Sequence, residues 1–366
     1  MTSVNKNIAF VIPSLGPGGA ERVVVTLANR LCAKYNILLI LLYKEHNILY
    51  DIDSRIKISY CAEYLKESTN FINAFKNNKR NISIISNFIK DYKINLLIGF
   101  TTTSNILSVL SAKRCRIPCI ISDRSNPYAT QLSSFWRLIR YLTYPRCNYL
   151  VVQSKLSLEF YKNVKLKKLK VLPNPLSENL TLKRKSSTKE NIILYVGRLD
   201  SNKAQDVLLK AFSNLKETRK NWKLVLVGDG NKRKTYETLT KDLGIEDSVV
   251  FTGRINNPEI YYNKAKIFAF TSKSEGFPNA LIEAMYFGLP CVSTDCPSGP
   301  SELIEDNTNG FLIPVGDVLL LEQKLKTLIE NEQLRNEMLQ KAKSKGEEFH
   351  VNNVSDKWEK LIIKLL

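Results

Sequence analysis

Ile267-Phe-Ala-Phe-Thr271, Ser274-Glu-Gly-Phe-Pro-Asn-Ala-Leu-Ile-Glu-Ala-Met-Tyr-Phe-Gly-Leu-Pro290 and Cys291-Val-Ser-Thr294 follow one another almost without a gap. The outer two runs are short, mostly apolar and bounded by turn residues, so they read as buried strands. The middle run carries a tight Gly-Phe-Pro-Asn turn and then a helical pattern. Strand, helix, strand in that order is the repeating unit of a parallel sheet. Pro278 suits the first helical position, where a missing N–H is no loss. Gly288 suits the helix end, with Pro290 as the stop signal. Glu275 and Glu283 stand eight positions apart. The first therefore falls in the loop before the helix and the second about one turn inside it. Between them lie free backbone N–H groups and the positive end of the helix dipole, a place for an anion. A ligand with a diphosphate in its middle and polyols at both ends fits that layout, and a sugar nucleotide is such a ligand.

The same alternation extends to both ends of the 366 residues. Strand patterns fall at 8–13, 37–43, 58–61, 96–100, 119–122 and 149–153 in the first half. In the second half they fall at 192–197, 223–228, 249–252, 267–271, 291–294 and 310–314. The reading is α/β, with two Rossmann-like parallel-sheet domains. The stretch 173–190 is polar, charged and proline-containing, and reads as the linker between domains 1–175 and 176–350. A final segment, 351–366, is expected to form a helix from about Val354, with apolar residues at Trp358, Leu361, Ile362 and Leu365.

Composition excludes several functions. Two histidines, His46 and His350, stand far apart, and seven cysteines lack C-x-x-C spacing. A zinc site or a Ser-His-Asp device has almost nothing to be built from, and the thiols read as reduced structural groups. No apolar run reaches the ~18–20 residues of a membrane-spanning helix. The N-terminus does not resemble a secretory signal, so the cytoplasm is the expected location. The net charge of +19 is uneven, with 26 Lys and Arg against 9 Asp and Glu in residues 1–175 and 28 against 26 in the rest. A field of that kind attracts nucleic acid, an anionic membrane surface or a phosphorylated substrate.

Further motifs fall at the ligand-facing ends of strands. Gly16-Pro17-Gly18-Gly19-Ala20-Glu21-Arg22 follows the first strand and opens the first helix, where glycine admits a phosphate or forms a plain turn. Gly197-Arg198, with Lys203 beyond, holds the same place in the second domain. Arg198 offers a bidentate fork and Lys203 a mobile point charge for phosphate oxygens, or both are simply solvated. Gly253-Arg254 ends a strand of that domain, as a base contact or a simple strand exit. Asp123-Arg124, ending a strand of the first domain, touches a reacting group or forms a salt-bridged loop. Phe135-Trp136-Arg137-Leu138-Ile139-Arg140-Tyr141-Leu142-Thr143-Tyr144 and the lysine-rich run 161–170 form a lipid-facing surface or a core with a solvated basic face. The charge of the domain favours the first. Asp51-Ile52-Asp53 resembles a metal-binding D-x-D but lies in a polar stretch and reads as a loop.

In order and together, Gly18-Gly19, Gly197-Arg198 with Lys203, and Glu275-Gly276-Phe277-Pro278-Asn279 with Glu283 resemble the retaining glycosyltransferases of family four, with the GT-B fold. Pro17-Gly18-Gly19-Ala20-Glu21-Arg22, Ser122-Asp123-Arg124-Ser125-Asn126 and the stretch from Asp295 to Glu302 are similar to bacterial enzymes of capsule, exopolysaccharide, O-antigen or lipid-linked glycan assembly. N-acetylgalactosamine transferases acting on undecaprenyl-diphosphate oligosaccharides are among them. The resemblance implies two domains facing a central cleft. The first, 1–175, would bind the acceptor and face the membrane. The second, 176–350, would bind the donor, and 351–366 would cross back to the first.

It also implies roles. Arg198 and Lys203 bind the donor diphosphate, Glu275 the sugar hydroxyls, and Glu283 the ribose. Gly197 and the backbone of Gly276, Phe277, Pro278 and Asn279 line the donor, Arg254 and Ile255 approach the base, and Gly18 and Gly19 lie under phosphates or acceptor. Arg124 stands where many relatives carry a cleft histidine, and is a catalytic candidate. The expected reaction moves a hexose or N-acetylhexosamine from a UDP-sugar to a polyprenyl-diphosphate glycan, with no metal and no cofactor, at the inner face of the cell membrane. Two rival readings are a nucleic-acid or anionic-surface binding protein, which leaves the Glu275–Glu283 segment unexplained, and an epimerase or phosphorylase on the same fold.

Overall fold

The computed structural model describes all residues except 1–5, 17, 45–47, 49, 65–70, 131, 163–167, 186, 216–217 and 219. Pro17, His46 and the middle of the basic run 161–170 lie outside the described residues. The chain divides into two compact units, residues 1–177 with 351–366, and residues 178–350.

The first unit contains β1 (Asn7–Ile12), α1 (Gly19–Leu31), β2 (Asn36–Leu41), β3 (Lys57–Tyr60), α2 (Phe71–Asp91), β4 (Leu96–Phe100), α3 (Thr102–Cys115), β5 (Cys119–Asp123), α4 (Ser134–Thr143), β6 (Tyr149–Val152), α5 (Lys155–Lys162) and β7 (Leu169–Val171). Its strands lie parallel in the order β3-β2-β1-β4-β5-β6-β7. β1, β4, β5 and β6 are buried or nearly so along their length, as strands covered on both faces must be. One face packs on α1 through residues such as Phe10, Val24 and Phe100. The other packs on α2 and α3 through Ile85, Leu107 and Ile121.

The second unit contains α6 (Glu178–Leu182), β8 (Ile192–Val196), α7 (Gln205–Asn214), β9 (Lys223–Val227), α8 (Arg233–Asp242), β10 (Val249–Gly253), α9 (Glu259–Lys264), β11 (Ile267–Phe270), α10 (Asn279–Tyr286), β12 (Cys291–Thr294), α11 (Pro300–Leu303), β13 (Gly310–Ile313), α12 (Val318–Glu330) and α13 (Glu332–Glu347). Its parallel order is β10-β9-β8-β11-β12-β13. The last helix, α14 (Val351–Ile363), belongs to the first unit. There Trp358 is fully buried and stacks on Phe100, with centroids 5.9 Å apart.

Three readings need correction. The expected linker 173–190 is not loose beyond residue 177. It contains α6, Lys183 pairs with Glu259 at 3.0 Å, and Arg184 lies 4.0 Å over the Tyr286 ring and 2.7 Å from Glu347. Its charges dock onto the second unit rather than solvating a tether. β7 was not expected, because a three-residue edge strand holding Lys170 looks like a charged surface run, and edge strands carry such residues. α14 begins at Val351, three residues before the expected start.

Candidate active site

In the second unit the strand order reverses between β8 and β11. Loops leaving the carboxyl ends of such a pair are neighbours, and this is where parallel sheets place ligands. The loop after β8 runs from Gly197 to Ala204, and the loop after β11 from Thr271 to Pro278. They are fastened to each other. Asn202 Nδ2 donates to the Ser274 carbonyl at 2.8 Å, and the Lys273 amide donates to the Asn202 carbonyl at 2.8 Å. Thr271 Oγ1 donates to the Lys203 carbonyl at 2.9 Å. At the centre, Lys203 Nζ forms an ion pair with Glu275 Oε1. Lys203 also lies 5.5 Å from the centroid of the Phe270 ring. The side chains of Lys203 and Glu275 retain 19% and 10% of their exposure, so solvent reaches the pair only partly.

Arg198 is placed differently. Its side chain is 74% exposed, and its Nε donates to Asp200 Oδ2 at 2.6 Å. Asp200 also accepts the amides of Asn202 and Lys203 at 3.0 and 2.9 Å, and so shapes the turn that presents Lys203. Burial works to raise the Asp200 pKa, but the Lys203 amide and the Arg198 guanidinium outweigh it and hold the carboxyl below its ordinary value.

α10 opens at Asn279, and Pro278 is its cap rather than its first helical residue. The Pro278 φ of −83° suits a helix but its ψ of 73° does not. Its carbonyl accepts the amides of Leu281 and Ile282. Among the described residues, the N–H groups of Gly276, Phe277 and Ala280 make no hydrogen bond, leaving three donors around the start of the helix. Glu283 lies one turn in, buried, with Tyr262 Oη donating to its Oε2 at 2.9 Å. Gly288 ends the helix at φ +72°, and Leu289 donates back to the Ala284 carbonyl, the left-handed closure glycine favours.

The fold brings Lys203, Glu275, Gly276, Phe277, Pro278 and Asn279 together, with Arg198 and Gly197 on the adjoining loop and Glu283 beneath. It sets Arg254 and Ile255 apart. They leave β10, which is separated from β8 by β9. Arg254 is exposed and Ile255 half-buried.

The remaining candidates belong to the first unit. Gly18 caps α1 and Gly19 is its first residue. The Gly18 amide donates to Tyr50 Oη at 3.1 Å, and that hydroxyl donates to the Gly18 carbonyl at 2.8 Å. Arg124 follows β5 and is buried. Its Nε donates to Ser122 Oγ at 2.7 Å, and its Nη1 to the Leu172 carbonyl and Asn174 Oδ1 at 2.8 and 3.0 Å. Its guanidinium lies 5.4 Å from the Trp358 ring centroid and 5.9 Å from that of Phe100. Burial lowers its pKa to about 9. Asp123 points elsewhere, accepting from Ser125 Oγ at 2.7 Å and from the Tyr161 hydroxyl, so the two do not form a salt-bridged loop. Asp51 and Asp53 lie in a loop, where Asp53 pairs with Arg55.

Sequence reasoning missed Asn202 and Tyr262. Asn202 carried a signal, since Asp-x-Asn after a strand often builds a side-chain-capped turn. Tyr262 carried none: on a short helix it is indistinguishable from an ordinary core tyrosine.

Residues 178–345 match the family described as glycosyl transferases group 1. An α-1,4-N-acetyl-D-galactosaminyltransferase of Campylobacter jejuni, named for a GalNAc-GalNAc-diNAcBac-PP-undecaprenol substrate, is 32% identical over 98% of both chains. A second from the same organism, a diphospho-undecaprenol 4-α-N-acetylgalactosaminyltransferase, is 33% identical over 94% of this chain and 96% of its own length. The chain belongs to the group 1 glycosyl transferases. HepE of Anabaena, solved with UDP, superposes on this glycosyltransferase with a TM-score of 0.78 at 18% identity, covering 98% of this chain and all of that one. That likeness establishes the GT-B architecture of two parallel-sheet α/β domains. Among the described residues of the glycosyltransferase, no three His, Cys, Asp or Glu side chains are grouped to hold a metal. No described helix is long and apolar enough to cross a membrane.

Proposed function

We propose that the protein transfers a hexose or N-acetylhexosamine from a UDP-sugar to a lipid-linked glycan, with retention of anomeric configuration and without a metal ion. The observation that supports this best is the Lys203–Glu275 pair beside the open amides of Gly276, Phe277 and Ala280. Cation, carboxylate and amide donors converge at the strand-order reversal, which suits a diphosphate joined to a sugar. The acceptor class rests on the near-full-length relatives named for undecaprenyl-diphosphate glycans.

Breaking the anomeric C–O bond builds negative charge on the leaving diphosphate. Lys203, Arg198 and the start of α10 supply fixed positive potential there, the task a metal performs in other transferases. Glu275 would hold sugar hydroxyls and Glu283 the ribose. In this reading the acceptor hydroxyl attacks from the leaving-group face and the donor phosphate takes its proton. Arg124 is better placed as a positioning residue than as a group touching the sugar, because Ser122, Leu172 and Asn174 already engage it. Arg254 and Ile255 remain candidates for the base and Gly18 and Gly19 for the acceptor, the last with the Gly18 amide shared with Tyr50.

The membrane contact assigned here is α4. Leu138, Tyr141 and Leu142 are exposed on it, beside exposed Arg137, and Tyr128 is exposed nearby. An apolar face flanked by arginine on a strongly basic unit suits the interfacial zone of an anionic leaflet.

The experiment is a thermal-shift panel of UDP- and GDP-sugars, followed by transfer of the best donor to undecaprenyl-diphosphate glycans and product anomer analysis. Stabilisation by a UDP-sugar and an α-linked product are expected. Conversion of the sugar nucleotide without acceptor points to an epimerase, and salt-sensitive DNA binding with no sugar-nucleotide stabilisation to the nucleic-acid reading.

A further inference from the structure

The loop 275–278 is braced from a second side. Across the sheet from β8, the turn that leaves β12 meets it at three points. The Glu275 amide donates to the Pro297 carbonyl at 3.4 Å, and Ser298 Oγ donates to the Gly276 carbonyl at 3.0 Å. Gly299 packs so closely on Pro278 that a Cβ there would lie 2.4 Å from the proline Cδ. Ser298 and Gly299 hold φ angles of +76° and +125°. Side-chain-bearing residues rarely adopt such angles, and they persist only where the surroundings over-determine them. Cys296, at the root of the turn, is buried beside Thr294, whose hydroxyl donates to the Ser272 carbonyl at 2.7 Å. The root of the turn and the root of the loop are therefore tied as well.

We propose that turn 297–299 is a positioning element for the donor loop. It fixes the backbone of residues 275–278 so that Glu275 meets Lys203 and the Gly276 and Phe277 amides stay open to ligand. The inference rests on the reading of this loop as the donor site. Ser298 and Gly299 touch no reacting atom in it. They act through Gly276 and Pro278, and the strained backbone of the turn is what allows the approach.

The test uses Gly299→Ala, Ser298→Ala and the double variant Gly299→Ala with Pro278→Ala. Three readouts are needed: kcat and KM for the donor, the melting temperature, and hydrogen exchange of the amides at 273–285. A Cβ at position 299 must push Pro278 aside, and a shift of roughly 1 Å in a reacting group costs on the order of 10²-fold. Gly299→Ala is therefore expected to lower kcat by about 10²-fold and to speed exchange of the bonded amides of Glu275, Leu281 and Ile282. The double variant lacks the ring atoms the Cβ would strike but keeps alanine at a φ of +125°, and should recover only the part of that loss due to the clash. Ser298→Ala keeps the turn but loses one hydrogen bond, and should lower kcat by about three- to tenfold. It carries the test if Gly299→Ala does not fold. A purely structural turn would lower the melting temperature while leaving kcat of the folded protein and the exchange of the Glu275, Leu281 and Ile282 amides unchanged, and that outcome overturns the proposal. If the wild type turns over no nucleotide sugar, the donor reading fails by itself. The exchange data still decide whether the turn positions the loop.

Discussion

Replacing Lys203 by alanine separates two quantities that the site couples. The ion pair with Glu275 is largely but not wholly withdrawn from water, at 19% and 10% side-chain exposure. Its loss should therefore cost between the ~0–1 kcal/mol of an exposed pair and the 3–5 kcal/mol of breaking a fully buried one. About 2 kcal/mol is a fair midpoint, most of it the penalty on a Glu275 carboxylate left without its cation. For a domain of this size that lowers the melting temperature by roughly 4–8 °C. Turnover should fall at least ~10²-fold, as on removal of a preorganised charge from a transition state. Arg198→Ala should lose turnover similarly but leave the melting temperature within about 1 °C, because its side chain is 74% exposed. The decisive measurement is a double-mutant cycle with Glu275→Gln, read by calorimetric melting and a radiolabelled-donor assay. Lys203→Ala with Glu275→Gln should melt above Lys203→Ala alone, since no carboxylate is stranded. Additive melting shifts, or a Lys203→Ala enzyme with near-normal turnover, would refute the reasoning.

Glu283→Ala should weaken UDP binding by about tenfold or more in calorimetry, and Tyr262→Phe, which removes the hydroxyl 2.9 Å from Glu283 and 3.4 Å from the Ala280 carbonyl, by about three- to tenfold. Wild-type protein should sediment with anionic liposomes at low salt and be released at high salt, and Leu138→Ser with Tyr141→Ser should cut the bound fraction at least about threefold. Equal binding to neutral liposomes would count against the α4 assignment. Burial raises the thiols of Cys61, Cys147 and Cys296 to about 12, so at about pH 8 they stay protonated and should resist alkylation until the protein is unfolded. Rapid labelling of Cys296 in the native state would show that the loop beside it opens.

The proposed donor segment was legible because it is local. One continuous strand, turn and helix carry Glu275, the open amides and Glu283, and the hydrophobic period and the Gly-Phe-Pro-Asn turn locate all of them. The Lys203–Glu275 pair spans 72 positions and was not foreseen: the resemblance implied Lys203 for the diphosphate and Glu275 for the sugar, not for each other. What makes it physical is the reversal between β8 and β11, which no single segment encodes. Arg124 shows the opposite limit. Strand-end position suggested a reacting group, yet its partners Leu172, Asn174 and Trp358 come from distant parts of the chain, and together they convert it into a buried brace. The segment after 177 looked like a tether because its charges could not be seen to have partners, and Glu259, Glu347 and the Tyr286 ring supply them.

Lys203 and Glu275 also explain, on the proposed reading, how the site would choose a whole sugar nucleotide over its parts. Before ligand arrives the two charges satisfy each other, so the partly buried site carries no stranded ion. A free phosphate that drew Lys203 away would leave Glu275 unpaired, and a free sugar would offer no anion to Lys203. Only a ligand bearing a diphosphate and hydroxyls together replaces both halves of the pair. The consequence is measurable as non-additivity: UDP-sugar should bind more tightly than the separate affinities of UDP and free sugar imply, and Glu275→Gln should abolish that excess while leaving UDP affinity equal or stronger. An unchanged excess in Glu275→Gln would mean that Glu275 does not exchange Lys203 for the sugar.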